Sequence, residues 1–63
     1  MKVDSIAKAR PLIGQRLFWE EHSNRYIIER SGILTDVYRR QLEFDDQQDY
    51  QPLKHFKNLR TEE

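Results

Sequence analysis

Residues 16–36 read RLFWEEHSNRYIIERSGILTD, and the fold turns on how this stretch pairs with itself. Trp, Phe, Tyr, Ile and Leu crowd between turn-forming residues, which is the composition of antiparallel strands. A loop at Glu21-His22-Ser23-Asn24 sets Glu20 opposite Arg25, Trp19 opposite Tyr26, Phe18 opposite Ile27, Leu17 opposite Ile28 and Arg16 opposite Glu29. Both charged pairs are opposite in sign. Cross-strand pairs contribute roughly 0.2–1 kcal/mol each, and a slip of one residue turns a whole strand face over, so agreement along the register is informative. A second turn over residues 29–32 uses Gly32 for a positive φ. It pairs Ile28 with Ile33, Ile27 with Leu34, Tyr26 with Thr35 and Arg25 with Asp36. The expectation is a three-stranded antiparallel meander. One face, with Leu17, Trp19, Tyr26, Ile28, Ile33, Thr35 and Val37, is the core face. The other carries an apolar stripe of Phe18, Ile27 and Leu34, framed by Arg16, Arg25, Glu20, Glu29 and Asp36, with Tyr38 at its end.

On the N-terminal side, residues 4–10 (DSIAKAR) predict a short helix capped by Asp4 or Ser5 and limited by Pro11 through its restriction of Arg10. On the C-terminal side, Leu34, Val37, Tyr38, Gln41 and Leu42 also follow helical spacing, so a helix over 34–44 competes with a strand ending near Arg40. The strand is preferred. Residues 45–51 read as a polar linker. After Pro52, Leu53, Phe56 and Leu59 recur every three residues, which predicts a short C-terminal helix or a tail that orders on a partner. The fold class expected is α+β: one small domain over residues 1–63 with its ordered core at about 4–44.

Composition narrows the function. In 63 residues, 37% are apolar and 35% charged, and the mean hydropathy is −0.98. A chain this short buries only about 60% of the surface its unfolded form exposes, so support from an oligomer or a partner is expected. With no Cys, disulfides and most structural zinc sites are ruled out. The eleven basic and eleven acidic side chains cancel, leaving no global field for nucleic acid or anionic membranes. No apolar run approaches a signal peptide or a membrane span, so a cytoplasmic protein is expected.

Catalytic and metal-binding patterns are weak. Ser5, Ser23, Ser31, Thr35 and Thr61 sit in no nucleophile-elbow pattern, and their capping and turn roles suffice. Glu20-Glu21 and Asp45-Asp46 are adjacent in sequence, which on a strand points neighbours to opposite faces. His22 and His55 lack metal-ligand spacing, and Gly14 and Gly32 are isolated from any phosphate loop. No enzyme activity, cofactor or metal is expected.

Three functions follow. The first is a non-catalytic protein-binding module, an adaptor, regulator or inhibitor, that uses Phe18, Ile27, Leu34 and Tyr38 with Arg16 and Arg25 at the rim. The second is a nucleic-acid binder that uses Arg30, Arg39 and Arg40 with Tyr26, its attraction for phosphate blunted by Asp36, Glu43, Asp45 and Asp46. The third is self-association, in which an open edge over residues 15–20 or 33–38 pairs across a two-fold axis to give a homodimer.

Overall fold

The computed structural model describes residues 1–46 and 49–62. The chain is α+β, with one short N-terminal helix and a five-stranded antiparallel sheet. Helix α1 (Ile6–Ala9) is a single turn whose N-cap Ser5 accepts a hydrogen bond from the Lys8 backbone N–H at 3.3 Å. Pro11 does not stop the chain from coiling. Its missing N–H is harmless in a first turn, and residues Arg10–Leu12 continue as a 3-10 turn.

The strands are β1 (Arg16–His22), β2 (Ile27–Tyr38), β3 (Gln41–Phe44), β4 (Gln51–Pro52) and β5 (Lys57–Arg60), in the order β4-β3-β2-β1-β5. The expected meander of three strands is therefore extended on both sides. The first hairpin exists, but with Glu20 opposite Glu29 and His22 opposite Ile27. Its loop is Ser23–Tyr26, because the Ser23 hydroxyl accepts from the backbone N–H of Tyr26 and donates to its carbonyl. Relative to the expected register, β2 is displaced by four residues. An even displacement keeps every side chain on its expected face up to Gly32.

The second turn is absent. β2 runs straight through Gly32, which is buried and takes no positive φ. A Cβ there would stand 3.3 Å from the Trp19 ring and 3.2 Å from the Asp45 carboxylate. Glycine serves close approach here. The first half of β2 pairs with β1 and the second half with β3, which follows a tight turn at Arg39-Arg40. A helix over 34–44 does not form.

The expected C-terminal helix is also replaced. Leu53–His55 is a 3-10 turn and residues 57–60 form β5 against β1. Of the expected linker over 45–51, Gln47 and Gln48 lie outside the described residues, as does Glu63 in the expected tail. The core joins both halves of the sheet to the N-terminal segment. Leu17 and Trp19 on β1 meet Leu34, Val37, Leu42 and Phe44 from β2 and β3, with Phe56, Leu59, Val3, Ala9 and Leu12 closing the sides. The rings of Trp19, Phe44 and Phe56 lie 4.5–5.1 Å apart by centroid. This is the offset and edge-on range that aromatic clusters favour.

Candidate functional site

Edges decide where a small sheet can be extended. β4 is two residues long and ends in Pro52, a natural blunt edge. β5 is covered by the N-terminal segment: Val3 N–H donates to the Leu59 carbonyl at 2.8 Å and Thr61 N–H to the Met1 carbonyl at 3.0 Å. Of the edges expected at 15–20 and 33–38, Phe18–Glu20 is interior, since β1 there lies between β2 and β5, and Leu34 is flanked by Gly14 and Gln15 on one side and by β3 on the other.

The first half of β2 presents a stretch of backbone with no strand beside it among the described residues. Leu34 exchanges hydrogen bonds with Gly14 and Gln15 on the β1 side, whereas Ile33 bonds Asp45 on the β3 side. Alternation along a strand then turns the N–H and C=O groups of Ile27, Glu29 and Ser31 away from β1. Among the described residues no strand lies opposite them.

This open edge belongs to a two-stranded arm. β5 covers β1 only over Phe18–Glu20, so the hairpin beyond it stands clear, and every residue from Glu21 to Arg30 is exposed. The arm carries three large apolar side chains, with Tyr26 61%, Ile27 57% and Ile28 37% exposed. Tyr26 and Ile28 share one face of the arm and Ile27 takes the other, so both faces are apolar and exposed. Around it, Arg30 pairs with Glu21 at 3.3 Å, and Arg60 pairs with Glu29 at 2.8 Å. His22 Nε2 lies 3.0 Å from Glu20 Oε1, and the Asn58 amide donates to Glu20 Oε2 at 2.9 Å. Those two partners, Asn58 first, hold the Glu20 carboxyl below its ordinary range.

The structure disperses the expected stripe. Ile27 is on the arm, Phe18 is half-buried between Ser31 and Arg60, and Leu34 is fully buried in the core. Leu34 changes role because β2 does not turn at Gly32, so it keeps the inward parity of Gly32. Arg16 donates to the Ser31 hydroxyl at 3.3 Å, and Arg25 sits in the arm's loop. Tyr38 is at the far end of β2, where its ring lies 6.0 Å from that of Tyr50. Of the residues weighed for nucleic acid, Tyr26 and Arg30 are on the arm while Arg39 and Arg40 form the opposite turn. They are not one surface.

No family model, curated protein or solved structure matches this chain. Function therefore rests on its own geometry. Among the described residues no three His, Cys, Asp or Glu side chains are grouped to hold a metal ion, and no helix is long and apolar enough to cross a membrane. The exposure of Ile28 carries no sequence signal: it keeps its expected face but lies on the arm, beyond the part of β1 that β5 covers. Ser31, expected in a turn, is half-buried within β2 because the second turn does not form.

Proposed function

We propose that this chain is a non-catalytic protein-binding module that takes an extended segment of a partner protein as an added strand along the open edge of β2. The observation that carries this reading is the coincidence of outward-facing backbone at Ile27, Glu29 and Ser31, opposite which no strand lies among the described residues, with exposed Tyr26, Ile27 and Ile28. In strand addition the main-chain bonds supply affinity and side chains on alternate faces supply selectivity. Ile27 on one face and Ile28 on the other favour a segment with apolar residues at successive positions, and Glu29 favours a basic residue across from it.

The test uses a peptide selected from a random library for binding to the full chain. Hydrogen exchange should slow at the amides of Ile27, Glu29 and Ser31 when the peptide binds. Glu29→Pro removes an outward N–H without touching the β1 ladder and should abolish binding, whereas Glu29→Ala keeps the N–H and should retain it. Protection elsewhere, or equal binding by Glu29→Pro, rejects the reading. Sedimentation of the chain alone separates this from self-pairing at the same edge, which would appear as a concentration-dependent dimer lost in Glu29→Pro.

A further inference from the structure

At the other end of β2, Arg39, Arg40 and Lys54 converge on a groove of about 850 Å³ floored by Ile6, Pro52 and Leu53. None of the three cations is paired with a carboxylate among the described residues; the ion pairs lie elsewhere. The one acid on the groove, Asp4, is held by Lys8 at 2.9 Å, and that contact lowers its carboxyl below the ordinary range. A chain of zero net charge thus concentrates positive charge at one place. Arg39 moreover occupies φ 58°, a backbone conformation that glycine takes freely and that Arg does not. A charged side chain is kept where the turn itself would be better served without one.

Arg39 links the groove to an aromatic pair on the outer face of the sheet. Tyr38, Gln41 and Pro52 form one cross-strand row on the outer face, with Gln41 between the tyrosine and the groove-lining Pro52. Tyr38 is 55% exposed, and the Arg39 guanidinium stands 5.5 Å from its ring centroid. Tyr50 packs beside it with its hydroxyl donated to Asp36, which fixes the second ring. Cations at one side and stacking surfaces at the other match the two chemical parts of a nucleotide strand. An acidic peptide would use the cations and leave the rings idle. We propose that this groove and the adjoining tyrosine pair bind single-stranded nucleic acid, with Arg39, Arg40 and Lys54 on successive phosphates and a base stacked on Tyr38. Asp36 and Glu43, on the same outer face, keep the phosphates at the arginine end.

Fluorescence anisotropy with a short labelled poly-uridine strand tests this. Three phosphate contacts give a slope of log affinity against log salt of about −2, since each contributes about 0.7 for a single strand. Arg39→Gly should weaken binding and reduce the slope by about 0.7 while leaving the thermal midpoint unchanged or higher, so the loss cannot come from unfolding. Tyr38→Ala should weaken binding by about fivefold or more. The proposal is overturned by a salt-independent or undetectable complex, by displacement of the strand by poly-glutamate as readily as by unlabelled poly-uridine, or by wild-type affinity in Arg39→Gly, Arg40→Ala and Lys54→Ala combined.

Discussion

Gly32 shows how one residue sets the sheet's course. It has no positive φ, so its backbone conformation does not call for glycine, but a side chain there crowds the Trp19 ring and the Asp45 carboxylate. Gly32→Val is expected to destabilise the fold by about 1–3 kcal/mol through overpacking. Denaturant titration measures the loss, and altered near-ultraviolet circular dichroism of Trp19 locates it. Tyr50 offers a second residue-scale test. Its hydrogen bond to Asp36 pushes its pKa from 10.0 up to about 12. A folded-state value above the unfolded one means that the stabilisation is complete below pH 10 and is lost as pH rises toward 12. Ultraviolet titration of the phenolates should show one group ionising near pH 12 that returns toward 10 in Asp36→Asn. In the sequence, Ser31-Gly32 resembled a turn because a glycine required by a neighbouring ring and one required by a turn look alike. Only the partner across the strand tells them apart.

Among the elements, β1 and the existence of its hairpin were legible, its register was displaced by four residues, and the strands after it were disguised. Leu34 and Val37 are three apart, as in a helix, yet both point into the core. The reason is a bulge: Leu34 faces Phe44 and Asp36 faces Glu43, so Thr35 is an extra residue that reverses the alternation. Its hydroxyl donates to the Glu43 carbonyl at 3.0 Å. The same device operates in β5. Phe56 and Leu59 share a core through a second bulge, where Phe18 faces Arg60 but Glu20 faces Lys57, with Asn58 at φ 55°. A strand with a bulge can thus carry a three-residue apolar period. The N-terminal turn, by contrast, was legible from Ser5 and the alanines. Asn58 tests the second bulge. Asn tolerates the left-handed region and its amide also reaches Glu20, so Asn58→Val is expected to cost about 1–2 kcal/mol for the backbone conformation. Asn58→Gly should spare most of that. In both variants the Glu20 carboxyl, followed by NMR, should rise toward its ordinary value because its largest stabilising contact is gone.

At the scale of the whole molecule, the long strand β2 joins two unlike ends. Its first half ends in the apolar arm with open backbone and its second half ends in the arginine turn, twelve residues of strand apart in a molecule 33 Å long. The sequence held both sets of residues but suggested surfaces that mixed them, since Tyr26 and Arg30 were grouped with Arg39 and Arg40, and Ile27 with Leu34 and Tyr38. Register, not composition, sorts them, and the register depended on a turn that does not form. Sites that share no side chain and lie more than about 10 Å apart should respond to substitution additively. Glu29→Pro is therefore expected to abolish capture of the selected peptide and leave poly-uridine affinity unchanged, and Arg39→Gly to weaken poly-uridine binding and leave peptide capture unchanged. Measured in the double variant, the loss of poly-uridine affinity should equal that of Arg39→Gly alone within about 0.5 kcal/mol. A larger discrepancy would mean that β2 transmits strain between its ends, with the bulge at Thr35 as the place where it changes partner strand.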